Sequence, residues 1–319
     1  MNELSEAFRL HVIAALGAAP EYIEPGKRHR FATNGKRSDL AGWCQQFEDC
    51  RAGVFGCWRQ GISEVWTATS REQMTPSERA ALRHQIAEAK QKREAEQRAA
   101  WQRNKDRTHA MGRQLVAVKA GDPVYRYLAR RLRVASLDVP DCLRLHPAAA
   151  YVSDGQTVGT WPAMFAPITS TAGEVLAWHR TYLTDDGRKA DVPGPVRKLT
   201  PACGLLSGAA IRLAEPSRGA LGVAEGIETA LGASLASGLP VMAAYSAGNL
   251  RAFAWPLGLS RLVIFADADN AGTDGAEGLR LRAVASGLAC EVLTPTTPGL
   301  DWLDVFANRP EQQEQEASA

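Results

Sequence analysis

The chain has 319 residues, 45% of them hydrophobic and 23% charged, with 37 Lys and Arg against 35 Asp and Glu. Those proportions exclude a disordered chain and fit a soluble globular protein with room for two or three domains. The net charge of +2 says little about partners by itself, the six cysteines are too scattered for a disulfide framework, and no run of 18 apolar residues exists to cross a membrane.

Residues 1–70 hold short strand-like pieces broken by glycine, with Phe31, Trp43, Phe47, Phe55, Trp58 and Trp66 set between turn residues, and read as a small β-rich module. Residues 71–108 form a charged helical linker. Thr75–Glu78 reads TPSE, a capping box with proline at the first helical position. Beyond it, Leu82, Ile86 and Trp101 are the only large apolar residues as far as Arg107. A helix polar all round is normally a solvated connector, although its basic residues could touch phosphate directly. Residues 109–216 mix a helix, DPVYRYLARRL, with strand-like runs such as GTWPAMFAPIT and EVLAWHRTYL. Residues 217–308 alternate strands (ALGVAE, PVMAAYS, RLVIFAD, ACEVLTP) with segments of helical length, which predicts a parallel sheet with right-handed crossovers. The acidic stretch 309–319 reads as a disordered tail. The start MNELSEAFRL lacks a secretory layout, so a cytoplasmic setting without a membrane partner is expected.

The most informative stretch is VIFADADNAGTDG, Val263–Gly275, where a buried strand runs into two carboxylates one residue apart. In extended chain Asp267 and Asp269 point the same way, and two like charges that close call for a cation between them. The competing reading is a plain turn, which Asp, Asn and Gly also favour. Open α/β sheets carry their sites beyond the carboxyl ends of the strands, where Glu225 also falls. Further on, GLDWLDVF adds Asp301 and Asp304.

Glu225 in AEGIET, the DAD of Asp267 and Asp269, and the later GLDWLDVF resemble the Toprim domain found in bacterial and phage primases, topoisomerases and some nucleases. In that family a Glu after the first strand and a DxD after the third bind catalytic Mg²⁺. The resemblance assigns Glu225, Asp267 and Asp269 to catalysis, and the same three with Asp301 to the metal, with Asp304 less secure. One departure stands out: phage primases often carry an acid four residues after the first Glu, and here that position is Thr229, with Glu228 one earlier. Glu228 could serve a related role, or be an exposed acid favoured by the helix start.

The resemblance extends upstream. GEVLAWHRTYLTDDGRKADVPGPVRKLT is similar to the primase run that holds nucleotide and template phosphates, which places Arg180 and Lys198 on those phosphates, Lys189 beside them, and Arg212 in the segment leading into Toprim. Each could equally be an ordinary surface charge. Residues 1–70 resemble the zinc-ribbon-like template-binding module of phage and mobile-element primases, with the GKR of Gly35–Arg37 near single-stranded template. Cys44, Cys50 and Cys57 with His29 are irregularly spaced for a zinc knuckle, so zinc is not expected.

The implied architecture is α/β: a Toprim domain (Rossmann-like, a parallel sheet with flanking helices) preceded by an α+β primase subdomain and the zinc-ribbon-like module. The implied function is a stand-alone DNA primase of a plasmid, phage or integrative element. It would use Mg²⁺ or Mn²⁺, single-stranded DNA template and nucleoside triphosphates. A separate replicative helicase is an expected partner, since no GxxxxGK[ST] stretch occurs. A Toprim-type metal-dependent nuclease and a non-catalytic DNA-binding replication accessory are the alternatives.

Overall fold

The computed structural model describes residues 3–33, 35, 40–57, 62–69, 73–153, 155–297 and 301–307. Lys36 and Arg37 of the GKR stretch, Trp58 and the tail 309–319 lie outside them. The chain divides into two compact units, residues 1–98 and 99–319.

The first unit opens with a helix, α1 (Glu3–Leu16), where the sequence promised only strands. Its signal was present: Phe8, Val12 and Leu16 recur every four residues and all are buried. Four antiparallel strands follow in the order β1 (Arg28–Phe31), β2 (Gly42–Gln46), β3 (Ala52–Cys57) and β4 (Ile62–Thr67). Phe8 packs edge-on to Phe55 and against Trp66, which closes the core. Cys44, Cys50 and Cys57 are buried, and burial pushes the Cys44 thiol up to about 12. His29 faces Cys44 across the β1–β2 ladder, but its Nε2 accepts a bond from the Glu24 backbone N–H.

A long helix, α2 (Pro76–Gly112), begins on the expected capping box: Glu78 N donates to Thr75 Oγ1 at 3.2 Å and Thr75 N to Glu78 Oε2 at 2.8 Å. Leu82 and Ile86, two of its few apolar residues, pack on Phe47 and Ala52.

The second unit contains two sheets. The first is antiparallel, in the order β5 (Val116–Ala117), β6 (Arg144–Ser153), β7 (Gln156–Thr169), β8 (Val175–Tyr182) and β9 (Arg197–Leu199), with helix α3 (Pro123–Leu132) inserted after β5. The second is the parallel sheet that the strand–helix alternation predicts. It runs β10 (Ala220–Ala224), α4 (Ile227–Ser237), β11 (Val241–Ala243), α5 (Ala247–Ala252), β12 (Arg261–Phe265), α6 (Asn270–Ala285), β13 (Ala289–Leu293) and α7 (Trp302–Ala307). Its strand order is β11-β10-β12-β13, all parallel.

One core binds the two sheets together. Val124, Leu128 and Leu132 of α3 and Met164, Ala166 and Ile168 of β7 pack with Ala224, Ile227, Leu231, Val263, Phe265, Leu303 and Phe306 of the parallel half. Two short bridges, Thr169 to Ala210 and Ile211 to Ala243, stitch the sheets at their edges. The far side of the parallel sheet is covered by α5 and α6, through Leu250, Phe253, Leu279 and Ala283. Among the described residues no helix is long and apolar enough to cross a membrane.

Candidate functional site

The strand order puts β10 between β11 and β12, so the chain leaves β10 toward one side and returns on the other. Such a switch opens a crevice at the carboxyl ends of the strands. Ala224 pairs with Phe265 in the β10–β12 ladder, and Glu225 and Asp267 follow within two residues of those partners. The two acids therefore emerge side by side at one rim.

Asp267 is the most perturbed acid there. It is half-buried, its Oδ1 is buried without a hydrogen-bond partner, and its carboxyl is pushed up to about 7. Burial is the largest cause, followed by the charges of Glu225, Asp301, Asp269 and Asp304. Glu225 is raised by burial and by Asp269, against a bond from the Ala247 N–H and the nearby Arg197. Asp301 is raised chiefly by burial, with Arg131 opposing.

Three acids also shape the backbone. Asp269 caps α6, its Oδ1 accepting from Gly272 N at 2.7 Å. Gly272 must be small, because a Cβ there would stand 2.9 Å from the Asp267 carbonyl oxygen. Asp301 and Asp304 cap α7 reciprocally: Asp304 N donates to Asp301 Oδ1 at 2.9 Å and Asp301 N to Asp304 Oδ2 at 3.2 Å. The start of α7 is pinned to α4 at Gly232, where a Cβ would meet Leu303 Cα at 2.8 Å. Segments far apart in sequence thus deliver their carboxylates to one place.

These donors suit a hard divalent cation. All are carboxylate oxygens, one buried oxygen lacks a hydrogen-bond partner, and the neighbouring acids raise the carboxyl of Asp267 together. Among the described residues no three acids form a ready-made chelate. Mg²⁺ does not need one, since it is held by one or two carboxylates, several waters and substrate phosphates.

Glu228 differs from the exposed helix-start acid that the dipole argument allows. It is 4% exposed, in the first turn of α4. Arg197 Nη2 donates to its Oε1 at 2.7 Å, and the Tyr127 hydroxyl donates to the same oxygen. Burial pushes this carboxyl up, but Arg197 and Tyr127 prevail and hold it below its usual value. Thr229, at the family's second acidic position, is buried in the same turn.

The basic residues sort by strand parity. In the β8–β9 ladder Arg180 pairs with Lys198 and Thr181 with Arg197. Side chains alternate across a sheet, so Arg180 and Lys198 share one face and Arg197 lies on the other. Arg180 lies over the Tyr182 ring, donates to Leu199 O at 3.2 Å and lines a cavity of about 390 Å³ with Arg107, Met111 and Thr200. Lys198 Nζ stands 3.7 Å from the centre of the Tyr151 ring and donates to Val152 O at 2.6 Å. The acids are on the Arg197 side. Lys189 joins them there, its charge disfavoured by burial and then by Arg197, and favoured by Glu228. Arg212 is spent on the β7–β8 turn, donating to Ser170 O and Thr171 O.

Sequence reasoning missed Arg197, Tyr127 and Arg131. Arg197 was adjacent to a chosen residue, and only the register of β9 distinguishes it from Lys198. It also missed His179, 8% exposed, whose Nδ1 has no partner and whose ring is pushed down to about 4, first by burial.

Residues 220–311 match the family described as the Toprim domain, and residues 102–213 match a domain of unknown function, DUF7146. No curated protein matches the sequence. Among solved structures, the primase fragment of the bacteriophage T7 primase-helicase is 14% identical at a TM-score of 0.36, covering 60% of this chain and 68% of its own. A primase domain from Pseudomonas aeruginosa is 14% identical at 0.33, covering 54% and 56%, so the chain spans little more than half of it. The zinc-binding and RNA polymerase domains of the Aquifex aeolicus primase are 12% identical at 0.41, covering 99% and 85%. Scores this low carry no weight by themselves. The family match and the acids at the strand ends do, and they make residues 220–311 a Toprim domain.

Proposed function

We propose that the chain is a DNA primase, joining nucleotides into short primers on single-stranded DNA for a plasmid, phage or integrative element. The observation that carries this reading is the juxtaposition of Asp267, Glu225 and Asp301 with the Arg197 guanidinium at one sheet rim. Nucleotidyl transfer spreads negative charge over phosphate oxygens, and such a rim offers both metal-holding carboxylates and a fixed cation.

Glu225, Asp267 and Asp301 would hold Mg²⁺ or Mn²⁺, with Asp269 contributing the oxygen not used in capping α6. Bound there, such an ion would supply charge stabilisation to the reacting phosphate oxygens. Arg197 and Lys189 would take the triphosphate, because both lie on the acidic side. Arg180 and Lys198, stacked on Tyr182 and Tyr151, would hold template phosphates instead. A separate helicase remains the proposed partner for unwinding.

The deciding experiment incubates the protein with single-stranded template, labelled nucleoside triphosphates and Mn²⁺. New labelled oligonucleotides that vanish in D267N are the expected result. Shortened template without new product would instead indicate the nuclease, and unchanged biological function in D267N the accessory.

A further inference from the structure

A carboxylate as deep as Glu228 ordinarily takes up a proton unless partners hold its charge. The group joins three elements: Tyr127 from α3 and Arg197 from β9 meet Glu228 of α4. Stability alone is a weak reason for this arrangement, because a well-packed apolar group usually ties elements together at least as well as a buried ion pair. The asymmetry of the pair is more telling. The Glu228 side chain is 5% exposed and that of Arg197 is 44% exposed. One end is locked and the other is presented.

What Arg197 is presented to is also visible. The β9 register turns Arg197 to the face opposite Arg180 and Lys198, and its bond to Glu228, three residues after Glu225, holds it near the carboxylate rim, where its charge favours the ionised form of Glu225. A guanidinium carries five N–H donors in a rigid fork, and the bond to Glu228 leaves others for phosphate oxygens. The Tyr127 hydroxyl bonds to the same Glu228 oxygen, which opposes any swing of that carboxylate toward a metal at the rim.

We propose, resting on the primase reading above, that Glu228 is a positioning residue rather than a metal ligand. It holds the Arg197 guanidinium at the rim, ready for the phosphates of the incoming nucleoside triphosphate. Tyr127 is the second support of the same clamp.

The test uses the full chain and two independent readouts. E228Q keeps the side-chain volume and removes the charge. In primer synthesis it should raise KM for ATP about tenfold, the size expected for loosening a charged hydrogen bond, with kcat changed less than about threefold. Adding E228Q to R197A should cost no more than R197A alone, since both act through one group. Calorimetry with Mg²⁺ alone should give equal uptake in E228Q and the parent. The second readout needs no turnover. The Arg197 Nε–H resonance, assigned by its loss in R197K, should report a fixed guanidinium in the parent and an averaged one in E228Q.

Loss of Mg²⁺ uptake in E228Q with an unaltered Arg197 signal overturns the proposal in favour of a metal ligand. Should E228Q fail to fold, Y127F must give a smaller KM rise of the same kind, and no rise overturns it. If the parent makes no primer while the Arg197 signal behaves as stated, the clamp stands and the primase reading falls. If primers form but E228Q alters neither KM nor the signal, the clamp falls alone.

Discussion

Asp267 works against the fold that holds it. Burial and four neighbouring acids raise its carboxyl to about 7, so the ionised form destabilises the metal-free protein at pH 8. D267N should therefore raise the melting temperature at pH 8 without divalent ions, by about 2 °C or more if roughly 1 kcal/mol is relieved, while abolishing primer synthesis. A lower melting temperature would show that the carboxylate is compensated after all. His179 gives the opposite pH signature. Its folded value, about 4, lies below the ordinary 6.5, so the folded state binds fewer protons between those values than the unfolded state. Its contribution to stability is present above pH 6.5 and lost as pH falls toward 4. Denaturant melts should show this slope in the parent and a flatter one in H179L; identical slopes would refute it. Asp267, Asp269 and Glu225 were legible in the sequence because hydrophobic strands end on them. His179 and Tyr127 were not, because a single residue within a strand or helix gives no sign of its partners across the fold.

Glycines at the site act between elements, setting how closely helices approach. At Gly232, α4 and α7 meet so tightly that even a methyl group would press on Leu303 Cα at 2.8 Å and Trp302 O at 3.1 Å. G232A should destabilise the protein by about 1–3 kcal/mol through overpacking against backbone. It should also weaken Mn²⁺ binding, because Asp301 and Asp304 ride on the first turn of α7. Urea melts combined with Mn²⁺ calorimetry check both effects, and a stability loss with intact metal uptake would separate α7 from the site. The βα alternation, the capping box at Thr75 and the parallel sheet were all legible, since each has a periodic or capping signature. Which of Arg197 and Lys198 shares a face with the acids was not legible. The strand β9 was visible as RKLT, but its register was not, and one residue of register moves Arg197 and Lys198 to opposite faces.

For the second unit as a whole, the antiparallel and parallel halves share one core. The sequence divides cleanly near residue 216, but the apolar residues on either side of that boundary have no other surface to cover them. A fragment of residues 217–319 should bare Ile227, Leu231 and Phe265, bind a hydrophobic dye and aggregate. Residues 99–319 should unfold as one cooperative step in urea. Two separated transitions would contradict the shared core. Composition could not reveal this, because a strand's hydrophobic face looks the same whether its cover lies nearby or a hundred residues on. The arrangement also sets a schedule during synthesis. The β6–β8 layer leaves the ribosome before the parallel half, and its inward face must wait for Leu303 and Phe306 of α7. A nascent chain stalled before α7 would be the vulnerable species, and chaperone dependence would track the translation rate of the segment leading into α7.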